Sequence, residues 1–143
     1  MFRLKSEVQF DMAHYLHGYK GKCSNIHGHR YRLVATFAAR ELHQEGQLRG
    51  MVEDFSCIKQ ALRELETALD HKLLVEDNEE GRRLQKELSG YEVVLVPYRP
   101  TAECIAQDIY HRLKAKGLPV DEVELYETPT NSCSYREDET AWR

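Results

Sequence analysis

His27-Gly28-His29 sets two imidazoles two residues apart. In an extended strand, side chains at that spacing project from the same face, so the pair can grip one cation. A lone H-x-H is also what surface or hydrogen-bonded core histidines look like. His14 tips the balance, because it ends an alternating stretch in which Phe10 and Met12 precede it at the same parity. In a two-stranded hairpin the end of the first strand lies beside the start of the second, and all three imidazoles then converge at one end of a sheet. Three protein nitrogens with an open fourth position describe a catalytic zinc site; a structural one is more often closed by four ligands rich in cysteine.

Cys23 stands four residues before His27, in a stretch of Gly, Lys, Ser and Asn rather than in a periodic apolar one. A divalent cation on the histidines would favour the thiolate of a nearby cysteine and make Cys23 a base or nucleophile. The alternative is a fourth zinc ligand, and spacing alone leaves both open. Cys57 and Cys104 fall in the first turns of two expected helices and Cys133 follows a turn, so these read as structural. With no C-x-x-C pair, all four are expected to be reduced thiols.

The elements that must hold these groups follow from periodicity. Phe2, Leu4, Val8, Phe10 and Met12 alternate with Arg3, Lys5, Glu7, Gln9 and Asp11, which predicts a half-buried strand over residues 2 to 13. Tyr31, Leu33, Ala35 and Phe37 predict a second from about His29 to Ala38, with Arg40 to Arg49 a possible extension of the hairpin arm. Asp54 caps a helix whose apolar face is Ile58, Leu62, Leu65 and Leu69 and which ends near Asp70-His71. The charged stretch from Glu76 to Gly90 is a short surface helix or an ordered loop, and Tyr91 to Tyr98 is a short extended segment. Thr101 caps a second helix carrying Ile105, Ile109 and Leu113 and closing at Gly117. Val123 and Leu125 start a third strand; after the turn Thr128-Pro129-Thr130-Asn131, Ser132 to Arg136 pairs back as a fourth. The order is strand, strand, helix, helix, strand, strand, an α+β fold.

The 143 residues are 41% hydrophobic and 31% charged, which fits one domain over 1–143. No uninterrupted apolar run exceeds the four residues Val93 to Val96, far short of a membrane helix. The first residues lack the apolar core of a secretory signal, so the expected location is the cytoplasm. A net charge of -4 without a Lys/Arg block gives no footprint for nucleic acid.

Phe10-Asp11-Met12-Ala13-His14, Cys23-Ser24-Asn25-Ile26-His27-Gly28-His29, Gly50-Met51-Val52-Glu53-Asp54-Phe55, Leu69-Asp70-His71, Pro100-Thr101-Ala102-Glu103 and Tyr126-Glu127-Thr128-Pro129 occur in this order. Together they resemble the 6-pyruvoyltetrahydropterin synthase and 6-carboxytetrahydropterin synthase family. The resemblance implies a tunnelling fold, or T-fold: an antiparallel sheet with two helices on one face. Such units associate into barrel-forming rings, here expected as a homohexamer of two stacked trimers.

Carried over by residue, the resemblance implies that His14, His27 and His29 hold zinc and that Cys23 moves protons on the substrate side chain. Asp70 and His71 become its acid-base partners, reaching the cysteine of a neighbouring subunit. Adjacent residues on a helix point about 100 degrees apart, so these two can work together only if the helix ends there; an ordinary polar helix terminus is the plain alternative. Glu127 resembles the carboxylate that accepts from the 2-amino and ring N-H of a pterin, and is otherwise a surface glutamate at a strand end. Thr101 is explained by capping, and Glu103 belongs to the same helix-start motif.

The implied substrate is 7,8-dihydroneopterin triphosphate, with Lys20, Lys22, Arg30 and Arg32 flanking the histidine motif as candidates to receive the triphosphate. Three residues separate Cys23 from His27, as in the bacterial carboxy-forming enzymes, whereas the animal pyruvoyl enzymes resemble a version with five. The expected reaction is therefore formation of 6-carboxy-5,6,7,8-tetrahydropterin, acetaldehyde and triphosphate, a lyase step toward queuosine. The alternatives are triphosphate elimination without side-chain cleavage, giving the 6-pyruvoyl product, and a non-catalytic zinc-binding module. Two stretches depart from compact family members: an insertion from about Glu76 to Tyr98, and the segment after Glu127 with Asn131 and Cys133.

Overall fold

A computed structural model describes residues 1–137. The chain runs β1 (Phe2–His14), β2 (His27–Ala39), α1 (Phe55–Leu69), β3 (Lys72–Glu76), α2 (Glu79–Glu87), β4 (Val93–Val96), α3 (Ala102–Ala115), β5 (Val120–Thr128) and β6 (Asn131–Tyr135), with a turn of 3-10 helix at Lys22–Ser24. The strands form one sheet in the order β4-β3-β1-β2-β5-β6.

Alternating side chains make the centre of the sheet. β1 and β2 pair antiparallel without a break, from Phe2 opposite Ala39 to His14 opposite His27. Phe10, Met12, Tyr31, Leu33, Ala35 and Phe37 are all buried, and α1 and α3 cover this face. α1 turns Ile58, Leu62, Leu65 and Leu69 inward, and α3 turns Ile105, Ile109 and Leu113 inward. Each such fully buried side chain contributes about 1.5–3 kcal/mol from burial alone. The Asp54 carboxylate accepts from the Ser56 N–H at 2.8 Å, and Thr101 Oγ1 accepts from the Cys104 N–H at 3.2 Å, so both helices are capped as expected.

The antiparallel sheet with two helices on one face is thus present as β1, β2, β5 and β6 with α1 and α3. The structure extends it. β3 pairs parallel to β1, and β4 parallel to β3, making the sheet mixed and giving six strands instead of four. The unread strand, β3, is Lys-Leu-Leu-Val-Glu, buried from both sides and so without the alternation that marks a half-exposed strand. Leu74 joins the main core, while Leu73 and Val75 join a second cluster with Tyr15, Val93, Leu84 and Leu88 on the opposite face. α2 covers this second cluster. It packs so closely that a Cβ at Gly81 would lie 2.1 Å from the Glu76 carbonyl oxygen, which explains the glycine.

Residues Arg40 to Arg49 do not extend the hairpin arm. They form a loop closed by His43 N–H to Met51 O and Gly50 N–H to His43 O. No helix among the described residues is long and apolar enough to cross a membrane, and all four cysteines are free thiols.

Candidate functional site

The β1–β2 register brings the three histidines together. His14 faces His27 directly and His29 is one step along, on the face that also carries Met12 and Tyr31. Their ligand atoms lie within 4.8 Å of one another, and His14 is 2% exposed. The His14 Nδ1–H donates to the Pro100 carbonyl at 2.7 Å, and the His27 Nδ1–H donates to the Asn25 carbonyl at 2.7 Å. A carbonyl only accepts, so both protons are fixed on Nδ1 and each Nε2 presents a lone pair. Those two Nε2 atoms stand 3.1 Å apart. Neutral imidazoles in these tautomers share no proton across that gap, and a cation between them removes the repulsion. His29 Nε2 is buried with no hydrogen-bond partner among the described residues, and burial depresses the pKa of His14 and His29 below the ordinary value. Neutral, oriented, orphaned imidazoles are what a metal site requires, with the two carbonyls as its outer support.

Glu127 reaches this cluster from β5. Its carboxylate lies 3.4 Å from His29 Nε2 and 4.0 Å from His14 Nε2, at the irregularity where β5 leaves regular pairing with β6. It borders two hollows. One, of about 340 Å³, is shared with His14, His27, Cys23 and Tyr19; the other is shared with Gln9, Arg32, Tyr126 and Pro129. Cys23, in the 3-10 turn, therefore opens into the same hollow as two of the histidines.

Asp70 and His71 lie elsewhere. α1 ends at Leu69, Asp70 is extended, and His71 takes a left-handed backbone at φ 58, unusual for a non-glycine residue. The break lets two adjacent side chains meet: His71 Nδ1–H donates to the Asp70 carboxylate at 2.8 Å. Asp70 also accepts from the Asp11 N–H at 2.9 Å, while the His71 N–H donates to the Asp11 carbonyl at 2.6 Å. The Asp11 N–H, followed by His71, holds the Asp70 carboxyl below its usual range. His71 opens into a hollow of about 830 Å³ with Asp11, Ala13, Gly28, Arg30 and Tyr91. Met12 and His29 of the histidine face also border this hollow, whereas Cys23 lines the smaller one, so His71 and Cys23 open into different hollows.

The basic candidates divide in the same way. Arg30 pairs with Asp11 at 3.0 Å; Arg32 pairs with Glu7 at 3.3 Å and lies over the Tyr126 ring at 4.0 Å. Both side chains alternate away from the histidine rings, yet they border a hollow that His29 and Glu127 also line. Lys20 and Lys22 are exposed in the loop that carries Cys23.

Sequence reasoning missed Pro100 and Asn25, which act through backbone carbonyls and so leave no side-chain signature. It also missed Tyr31 as a neighbour of the histidine cluster, its hydroxyl 3.5 Å from the His14 ring. The parity of Tyr31 with His27 and His29 was the available signal.

A curled mixed sheet backed by helices, with three histidines gathered at one end of its central hairpin, defines a tunnelling-fold enzyme of the tetrahydropterin synthase type. A family model described as 6-pyruvoyl tetrahydropterin synthase matches residues 3–138, and the chain belongs to that family. The 6-carboxy-5,6,7,8-tetrahydropterin synthase of Haemophilus influenzae is 38% identical, the match covering 96% of this chain and 100% of that one. The protein of the same name from Synechocystis is 34% identical over 94% of this chain and 93% of its own. Among solved structures, an uncharacterized protein from Wolinella succinogenes superposes with a TM-score of 0.73 at 22% identity, covering 96% and 98% of the two chains. The 6-pyruvoyl tetrahydropterin synthase of Caenorhabditis elegans gives 0.68 at 23% identity, with 96% of each chain covered.

Proposed function

We propose that the chain is a zinc-dependent lyase that converts 7,8-dihydroneopterin triphosphate to 6-carboxy-5,6,7,8-tetrahydropterin, acetaldehyde and triphosphate, in the cytoplasm and on the route to queuosine. The observation that carries this reading is the hollow shared by His14, His27, Cys23 and Glu127, where two fixed imidazole lone pairs adjoin a thiol with no assigned ligand role. The Cys23-x3-His27 spacing and the names borne by the curated relatives favour the carboxy product over the pyruvoyl one.

His14, His27 and His29 would hold the zinc, which when bound supplies Lewis acidity to the substrate's two side-chain hydroxyls and acidifies the adjoining C–H bonds. Cys23 removes and returns protons at those carbons. His71, its Nδ1–H committed to Asp70, presents Nε2 as the second acid-base group. It serves the cysteine of a neighbouring copy, because within one chain the two line different hollows. Glu127, on the boundary between two hollows, accepts from the pterin 2-amino and ring N–H groups, and Lys20 and Lys22 receive the triphosphate. The open edges of β4 and β6 support assembly into a ring of single-domain subunits, expected as a hexamer.

The test is the carbon fragment. Incubation with 7,8-dihydroneopterin triphosphate should release acetaldehyde in step with triphosphate. Triphosphate release with an intact three-carbon side chain and no acetaldehyde would make the protein a pyruvoyl-forming enzyme. Substrate untouched by zinc-loaded oligomer would make it a non-catalytic module.

A further inference from the structure

The loop between β1 and β2 carries Cys23 and has little regular structure beyond one 3-10 turn. A thiol that must meet a substrate carbon within a few tenths of an ångström needs that loop held, and the chain holds it from outside. Arg99 directs its guanidinium at the loop: Nε and one terminal nitrogen both donate to the His17 carbonyl, at 3.2 and 2.7 Å. The same guanidinium lies 5.8 Å from the centroid of the Tyr19 ring. Tyr19 in turn lies against Gly21, where a Cβ would come within 2.8 Å of the ring, and Gly21 immediately precedes the turn Lys22–Cys23–Ser24. A second strand of contacts closes the loop, since the Leu16 N–H donates to the Cys23 carbonyl at 2.9 Å and the Tyr19 N–H to the Leu16 carbonyl at 3.2 Å. On the far side of His17, its ring Nδ1 meets the Glu80 carboxylate of α2, so the insertion also grips the loop.

The residue after Arg99 is Pro100, whose carbonyl fixes His14. One dipeptide at the entrance to α3 therefore orients a metal ligand through its second residue and the cysteine loop through its first. We propose that Arg99 is a positioning residue that sets the Cys23 thiol against the histidine cluster, with Tyr19 transmitting its hold. This rests on the role assigned to Cys23 above. The fork geometry matters: an ammonium can meet the His17 carbonyl but cannot donate to it through two nitrogens of one plane.

The experiment compares Arg99→Ala and Arg99→Lys with the parent oligomer in three measurements. Zinc content should stay at the parental level, because the Pro100 carbonyl is untouched by either change. With dihydroneopterin triphosphate, kcat should fall about 10- to 100-fold in Arg99→Ala with KM little changed, as for a misplaced reacting group, and Arg99→Lys should recover part of it. Alkylation of Cys23 by iodoacetamide, located by peptide mass, should quicken severalfold in Arg99→Ala while exposed Cys57 reacts at the parental rate. Tyr19→Leu should shift alkylation in the same direction and keeps the test alive if Arg99→Ala does not fold. Parental Cys23 alkylation together with kcat within twofold of the parent would overturn the proposal, as would loss of zinc in step with activity. If Cys23→Ala keeps full turnover, the proposed function fails, whereas the alkylation rates still decide whether Arg99 holds the loop.

Discussion

His14 is 2% exposed, with its ring held by a buried carbonyl, whereas the His71 side chain is 75% exposed on a left-handed backbone at the end of a helix. Both are histidines of the proposed machinery, and they are positioned by opposite means. The histidine cluster is built from regular strand, and its geometry is a by-product of the β1–β2 register. The Asp70–His71 corner is built from an interruption, stabilised by two hydrogen bonds to the backbone of Asp11. The group proposed to retain an ion gathers its three imidazoles within one chain, with His14 buried. The group proposed to meet a site on another copy is displayed outward, oriented by the Asp70 carboxylate and by the backbone of Asp11.

Substitutions that break this contrast should differ in what they remove. The largest effect is expected at the cluster: His27→Ala or His29→Ala should strip a site of about one zinc per chain and abolish turnover, checked by elemental analysis. Full zinc retention in both would displace the site. Cys23→Ala should lower kcat by about 10²- to 10⁴-fold while zinc stays, and loss of zinc would instead make Cys23 a ligand. At the corner, His71→Gly should also remove activity yet cost little stability, within about 1 kcal/mol, because glycine relieves the left-handed backbone and loses only backbone entropy and one exposed contact. Thermal unfolding of the zinc-loaded variant checks this.

Acid should separate the two regions with a smaller effect. Folded His14 and His29 have pKa values depressed below 6.5 by burial, so in metal-free protein their contribution is present above pH 6.5 and lost as pH falls through the lower folded values. Asp70 is depressed below 3.8 by the Asp11 N–H and His71, so its contribution is present above that value and lost only at still lower pH. The melting temperature of metal-free protein should therefore begin to fall below about pH 6.5. Asp70→Asn should leave that first decline in place and reduce the later one.

The cluster was legible because alternation is a local signal: Phe10, Met12 and His14 share parity in one strand, and His27, His29 and Tyr31 in the next. The end of α1 at Asp70 was legible for the same reason, from the 3.6-residue spacing of Ile58, Leu62, Leu65 and Leu69. β4 was read as the extended segment from Tyr91 to Tyr98, but β3 was not read. Lys72 to Glu76 is too short and too evenly buried to alternate, and its partners β1 and β4 are remote in sequence, so parallel pairing left no local trace. The Glu127 carboxylate beside His29 depends on an irregularity between β5 and β6 that no side-chain pattern announces. Arg99 reads in sequence as one more surface cation, and its role emerges only once Pro100 is seen against His14.

The central claim is that the two regions act together only across copies of the chain, and subunit mixing tests it most directly. Inactive Cys23→Ala and inactive His71→Ala oligomers, combined in equal amounts and exchanged, should recover about a quarter of parental turnover if each site draws Cys23 from one chain and His71 from its neighbour at random. No recovery after exchange has been verified by mass would contradict the account and place both residues in a site within one chain.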